Sequence, residues 1–475
     1  MSPSDEARTL ALQVLMPGFS GTTLPEDYRA LLAAGLGGIC YFGSNTADGP
    51  ARTAALSDAI RAANPHAVIA VDEEGGDVSR LHTREPSPVL GAAALGAVDD
   101  VGLTETVGGW IGAELAGAGI DLDLGPVADV NSDPRNPVIG TRSFGTDPTR
   151  VAAHVAAWTR GLQAAGVAAC AKHFPGHGDT ATDSHLTLPT VDVPLETLVA
   201  RELVPFAAAL RAGTAAVMTS HILVPALDPD RPATLSPVVL GLLRDWLGFD
   251  GVIVSDALDM AGASSVRGIP EAAVLAIVAG CDLLCLGPDK PASLVEDVCE
   301  AIVAAIHSGR LTRQRLAEAV GRVQSMRCPA AAAAAGTPDA ARQVEAAAAR
   351  LRVEGEVPDL AGALVVSIDT VANIAVGAVA WGLVPDRTLD PTDPVVPPTV
   401  PADVPLVVQV RDAHRHPEVL AFLASLASSG RPAVVVEWGW PGTYDVGLAT
   451  IVTLGSSGPG VTAVEQLLRE AGWTR

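Results

Sequence analysis

The stretch Gly248-Phe-Asp-Gly-Val-Ile-Val-Ser-Asp-Ala-Leu-Asp-Met-Ala-Gly262 decides the fold. A short β-branched apolar run, Val252–Val254, is followed by Ser255 and then by a carboxylate, Asp256. Runs this short and this apolar suit a strand buried on both faces, and the polar residue marks where it ends. Seven more segments of the same kind precede or follow it: LQVLMP (12–17), GGICYF (37–42), AVIAVD (67–72), LDLGPV (122–127), VAACAK (167–172), AAVMTS (215–220) and LLCLG (283–287). Helical patterns such as PEDYRALLAAG, TRVAAHVAAWTRGLQAAG and ETLVARELVPFAAALRAG separate them. Eight buried strands alternating with helices predict a (β/α)8 barrel of the TIM type, with a doubly wound open sheet as the alternative.

The polar residues point the same way. Asp72, Lys172, Ser220 and Asp256 each stand where a strand candidate ends. In a barrel those ends ring one face, and active sites are built there. One such residue is ordinary strand-to-loop punctuation, whereas four from distant strands favour a site.

Past Cys328 the character changes. Residues 329–349 are Ala-rich and read as helix. Beyond them ALVVSI (363–368), PLVVQV (405–410), AVVVEW (433–438) and ATIVTL (449–454) alternate with the helical PEVLAFLASLASSG and AVEQLLREAG. This predicts a smaller α/β sandwich domain on a parallel sheet. The expected division is a barrel over 1–328, a helical linker over 329–350 and the second domain over 351–475. DRTLDPTDPVVPPTVPADVP reads as an exposed Pro-rich loop. The GSSGPG turn (455–460) follows a strand but lacks the Lys and spacing of a phosphate-binding loop.

At 475 residues the chain is longer than one compact core usually serves, and 48% hydrophobic against 18% charged residues excludes disorder. A formal net charge of −23 argues against nucleic acid and anionic membrane as partners. The six cysteines are scattered without a CxxC pair and read as buried thiols of a reducing compartment. MSPSDEARTLALQVLMPGF has no basic segment leading into a long apolar run, so a cytoplasmic protein without a membrane anchor is expected. Nothing in the patterning specifies an oligomeric state.

The chemistry concentrates in Lys172-His-Phe-Pro-Gly-His-Gly-Asp-Thr-Ala-Thr-Asp-Ser-His-Leu-Thr-Leu-Pro189. Three histidines with two aspartates between them invite a metal reading. Pro175, Gly176 and Gly178 make the segment a loop, however, and its spacing matches no zinc signature, so neither metal nor cofactor is expected. The acid–base reading fits better: Asp183 and His185 flank Ser184, and a carboxylate on one imidazole nitrogen leaves the other free to pass a proton. Asp256, mounted at a strand end, is the candidate nucleophile, with Asp259 as runner-up or helix cap.

KHFPGHG-x4-DSH closely resembles the diagnostic motif of the β-N-acetylglucosaminidases of glycoside hydrolase family 3. VDEEGGDVSRL (71–81), NPVIGTRSFGTDP (136–148), MTSHILVPALDPDRPATLS (218–236) and FDGVIVSDALDMAG (249–262) extend the resemblance over roughly residues 10–325. It implies Asp256 as nucleophile, His185 as general acid/base and Asp183 as its orienting partner. It implies Asp72, Arg80, Arg142, Lys172 and His173 as sugar-binding residues. The implied reaction is retaining hydrolysis of terminal β-linked N-acetylglucosamine from peptidoglycan fragments or chitooligosaccharides. Glu73 stands where many relatives carry Gln, which is expected to alter hydrogen bonding in the sugar pocket. No residue of 336–475 carries over to the site. A β-glucosidase of the same family, a substrate-assisted hydrolase, a metal-dependent hydrolase and a non-catalytic carbohydrate-binding barrel are the competing readings.

Overall fold

The computed structural model describes residues 3–182, 188–326, 338–370, 375–377, 379–392, 394–395 and 400–474. Eight parallel strands make the first sheet: β1 (Leu15–Pro17), β2 (Gly38–Tyr41), β3 (Val68–Val71), β4 (Leu122–Asp123), β5 (Ala168–Phe174), β6 (Ala216–Thr219), β7 (Val252–Ser255) and β8 (Leu283–Gly287). They hydrogen-bond in the order β1-β8-β7-β6-β5-β4-β3-β2. The Gly37 N–H just ahead of β2 donates to the Leu12 carbonyl just ahead of β1 at 2.9 Å, so the sheet nearly closes on itself. The open-sheet alternative is thereby excluded, and the fold is the expected barrel.

Alternation along the strands sorts the side chains. Met16, Cys40, Ala70, Leu122, Cys170, Met218, Val254 and Cys285 fill the barrel interior as one cluster. Their neighbours Leu15, Ile39, Ile69, Ala169, Val217, Ile253 and Leu284 face outward onto the helices. All five described cysteines are buried free thiols. Cys328 lies outside the described residues.

The helix Pro148–Ala164 shows how the sequence builds the outer ring. Asp147 caps it, accepting from the Thr149 N–H at 2.8 Å and the Arg150 N–H at 3.2 Å, and Pro148 occupies the first turn. Val151, Val155, Trp158 and Leu162 recur at helical spacing and are all buried. Gly166, at φ 91°, ends it.

The strand expected over 122–127 is only two residues long. Gly125–Pro126 leaves the ladder through a cis peptide, and the chain returns as a single bridge between Val127 and Lys172. Proline carries no N–H for a ladder, so the regular ladder is interrupted there, although the Gly125 and Pro126 carbonyls still accept from the Cys170 and Lys172 N–H groups at 2.7 and 3.0 Å.

The second sheet comprises β9 (Arg352–Glu354), β10 (Leu364–Ile368), β11 (Arg387–Leu389), β12 (Leu406–Val410), β13 (Ala433–Glu437) and β14 (Ala449–Val452), in the order β11-β10-β12-β13-β14-β9. Two features depart from the expectation. β9 joins antiparallel to β14, so the sheet is mixed. β11 pairs with β10 inside the segment read as a Pro-rich loop; an edge strand needs a partner on one side only and tolerates that composition. Of the Ala-rich stretch, the described part is the helix Ala340–Ala348. Among the described residues no helix is long and apolar enough to cross a membrane.

Candidate active site

The C-terminal ends of the barrel strands surround a cavity of about 350 Å³. Asp72, Arg80, Arg142, Lys172, His173 and Asp256 all line it. Lys172 reaches it from β5, with its side chain only 1% exposed. Its Nζ lies 2.6 Å from Asp72 Oδ1 and 2.7 Å from Glu74 Oε1. Arg142 grips the same Glu74 with both arms, Nε to Oε2 at 2.9 Å and a terminal nitrogen to Oε1 at 2.7 Å. Burial works to raise the Glu74 pKa, but Arg142 and Lys172 outweigh it and hold the carboxyl well below its ordinary range. Burial likewise works to lower Lys172, and Asp72 and Glu74 outweigh it, so the ammonium is held charged. Two cations and two anions thus fix one another, offering donors and acceptors at set positions to a neutral polyhydroxylated ligand.

His173 is oriented from behind. Its Nδ1 lies 2.7 Å from Asp129 Oδ2, and its Nε2 faces an Arg142 nitrogen at 3.5 Å. Asp129 also accepts the His177 N–H at 2.7 Å. Burial works to raise the Asp129 pKa, and the two histidines outweigh it, so the carboxyl stays charged. Burial pushes the His177 imidazole down to about 4. The chain after β5 stays packed against the barrel through the Pro-Gly turn. Residues 171–178 are buried throughout, and a Cβ at Gly178 would overlap the Val130 carbonyl oxygen. Only glycine permits that approach.

Asp256 stands one residue past β7. Its N–H donates to Thr219 Oγ1 at 3.3 Å, and its Oδ1 accepts from the Ala257 N–H at 2.8 Å. His221 braces the same loop, with Nδ1 2.9 Å from Thr234 Oγ1 and Nε2 2.9 Å from the Ala257 carbonyl. The runner-up Asp259 caps no helix: it lies in the following turn, 2.8 Å from Lys290 Nζ, and also lines the cavity. Asp183 and His185 lie outside the described residues.

Several expectations need correction. Ser220 does not face the cavity; its hydroxyl donates to the Phe174 carbonyl at 2.9 Å and ties β6 to β5. Glu73 points away from the cavity and holds a turn instead, its Oε2 accepting from Ser79 Oγ at 3.0 Å and from the Arg80 and Leu81 N–H groups at 2.8 and 3.0 Å. Arg80 lines the cavity, but its guanidinium donates to the carbonyls of Ala375 and Val376 at 2.6 and 3.2 Å. Ala375 itself is part of the cavity wall, so the chain beyond the barrel does reach the site.

Glu74 was the residue missed, and a signal for it existed. In an extended DEE run, side chains two apart share a face. Asp72 and Glu74 therefore go together and Glu73 goes opposite, as observed. Asp129 gave no comparable signal. Among the described residues, no group of three or more His, Cys, Asp or Glu side chains is placed to hold a metal ion.

The family model described as the glycosyl hydrolase family 3 N-terminal domain matches residues 12–326. The chain belongs to glycoside hydrolase family 3. It is an enzyme of that family, a glycoside hydrolase, and several of its curated relatives carry the name β-hexosaminidase. That of Methylococcus capsulatus is 41% identical over 285 residues, covering 58% of this chain and 84% of the relative. A family 3 β-N-acetylglucosaminidase from Paenibacillus sp. superposes with a TM-score of 0.86 at 31% identity, covering 98% of this chain and 96% of its own. NagZ from Neisseria gonorrhoeae, solved with N-trifluoroacetyl-D-glucosamine, is 32% identical with a TM-score of 0.54, covering 66% of this chain and 97% of its own. The first of these structures spans both sheets; the second spans about the barrel.

Proposed function

We propose that this family 3 hydrolase is a retaining exo-acting β-N-acetylhexosaminidase that removes terminal β-linked N-acetylglucosamine. The observation that carries the reading is the meeting of Asp256, from β7, with the Lys172–Asp72–Glu74–Arg142 cluster around one cavity. In the first step the Asp256 carboxylate attacks the anomeric carbon and the glycosidic C–O bond breaks. The leaving oxygen takes a proton from His185, which Asp183 orients. In the second step His185 takes a proton from water, the water oxygen bonds to the anomeric carbon, and Asp256 leaves. Most retaining glycosidases use two carboxyl groups about 5 Å apart; here an imidazole replaces one and keeps a second negative charge away from the nucleophile. Asp72, Lys172, Arg142 and His173 hold the hydroxyls and the acetamido group, and Arg80 contributes from the rim.

The barrel over residues 1–328 is the catalytic unit, joined through 329–350 to a second domain over 351–475. Peptidoglycan fragments or chitooligosaccharides are the substrates, met inside the cell, a reducing compartment that suits the five buried free thiols among the described residues. A 5-fluoro N-acetylglucosaminide with a good leaving group, which keeps the 2-acetamido group, tests the mechanism. A stable adduct on Asp256 is expected, and its absence, with the sugar turned over normally, refutes the covalent route. Aryl glucoside and aryl N-acetylglucosaminide rates compared side by side decide against the glucosidase reading if the second dominates.

A further inference from the structure

Four of the charged side chains that line the cavity ride on two long loops. Residues 72–91 carry Asp72, Glu74 and Arg80, and residues 124–147 carry Arg142. The Arg142–Glu74 pair joins the loops at one point and leaves them able to pivot. Asp77 supplies the second point. It is not part of the cavity lining. Its Oδ2 accepts from Thr141 Oγ1 at 2.6 Å, one residue before Arg142. Its Oδ1 accepts from the Ser456 N–H at 2.9 Å, in the turn that follows β14. One half-buried carboxyl therefore joins three segments: the loop of Glu74, the loop of Arg142 and the second sheet.

The turn that meets it is itself well fixed. The Ser456 hydroxyl accepts from the Gly382 N–H at 2.8 Å. Ser457 caps the helix Gly458–Glu470 through the Gly460 N–H at 3.2 Å. The Gly458 N–H donates to the Ser87 carbonyl at 2.8 Å, near the far end of the Glu74 loop. Gly455 has φ 108°, and a Cβ there would sit 3.0 Å from Asp77 Oδ2. Two backbone donors of the GSSGPG turn, those of Ser456 and Gly458, thus go to the barrel's own carboxylate and carbonyl groups.

We infer that Asp77 is a positioning residue for sugar binding, through which the second domain sets the spacing of Glu74 and Arg142. The inference rests on the reading that Arg142 holds the sugar. The Asp77 side chain hydrogen-bonds no lining residue and acts through Thr141 and the turn at 75–78, whose last residue, Val78, does line the cavity. Loosening it disorders the donors that grip substrate and transition state alike. Uniform binding then falls, which raises KM and leaves kcat near its parent value.

The test uses the full chain with Asp77→Ala, Asp77→Asn, Thr141→Val and Arg142→Ala, each assayed on an aryl N-acetyl-β-glucosaminide and scanned for Tm. Asp77→Ala is expected to raise KM about tenfold with kcat changed less than about threefold. Asp77→Asn keeps both hydrogen bonds, because a threonine hydroxyl can accept as well as donate, and is expected to stay within about threefold of the parent KM. Thr141→Val removes one bond only and is expected to raise KM by a smaller factor than Asp77→Ala. A parent-like KM in Asp77→Ala, or in Thr141→Val if the first variant does not fold, overturns the inference. So does an Asp77→Asn variant no better than Asp77→Ala at equal Tm. Arg142→Ala separates the two levels: its KM unchanged sinks the sugar-binding reading itself, whereas its KM raised with Asp77→Ala parent-like sinks the positioning role alone.

Discussion

The Arg142–Glu74 pair offers a prediction whose size follows from the structure. The two side chains are 4% and 5% exposed and share two hydrogen bonds. Removing one partner of a buried pair strands the other charge and typically costs about 3–5 kcal/mol. The two truncations are not equivalent. Arg142→Ala leaves Glu74 with Lys172 at 2.7 Å, so the loss belongs near the low end, about 3 kcal/mol. Glu74→Ala leaves Arg142 and Lys172 facing each other across the vacated space, so about 4 kcal/mol is expected. The double variant strands only Lys172, which retains Asp72 at 2.6 Å, and should cost about 4 kcal/mol rather than the sum. The coupling is then about 3 kcal/mol. Scanning calorimetry at neutral pH reads it: each single variant should lower the barrel transition by about 6–10 °C. High salt should leave the coupling nearly intact, because a buried pair is weakly screened. Losses that add to within about 0.5 kcal/mol would refute the reasoning, since independent sites behave that way.

Three further outcomes are expected. Asp282 lies fully buried at the N-terminal end of β8, within reach of Arg244, of Arg315 at 2.9 Å and of Arg322 at 3.2 Å; Asp282→Ala should cost about 3–5 kcal/mol while kcat stays at the parent value, because that end of a barrel serves stability. Gly178→Ala should lower stability by about 2–3 kcal/mol in urea titrations, as its Cβ meets a backbone carbonyl that cannot move aside; a parent-like midpoint would sink the packing argument. His177 is pushed down to about 4 by burial, so the unfolded chain takes up its proton first as pH falls. Its contribution is therefore fully present above about 6.5 and is lost between there and about 4. The stability difference between the parent and His177→Gln should shrink across that window, and a difference independent of pH contradicts the assigned burial.

Much of the site was legible because strands alternate and end in polar residues. Asp72, Lys172 and Asp256, singled out by that rule alone, all line the cavity. Ser220 obeyed the same rule and failed, since a strand-end hydroxyl can satisfy itself on a neighbouring strand's carbonyl. Glu73 and Glu74 show a finer limit. Their order along the chain is plain, but which one meets Arg142 depends on how the run DEEGG leaves β3. Arg80 shows another, because its partners come from residues 375 and 376, almost three hundred positions later.

The barrel was written in local terms: short apolar runs, their polar ends and the helices between them. Each depends on neighbours a few residues away, so periodicity and motif suffice to read it. The depth at which charges sit is a different matter. Glu74, Lys172 and Arg142 are ionised because two loops and a strand bring them within hydrogen-bonding distance in a space that excludes water. Asp77 matters because Thr141 and Ser456 meet it from segments far apart in the chain. Desolvation and pairing are properties of proximity in space. The sequence names the candidate residues for the chemistry, and only the folded chain decides which charges face one another and which carboxyl ties the loops together.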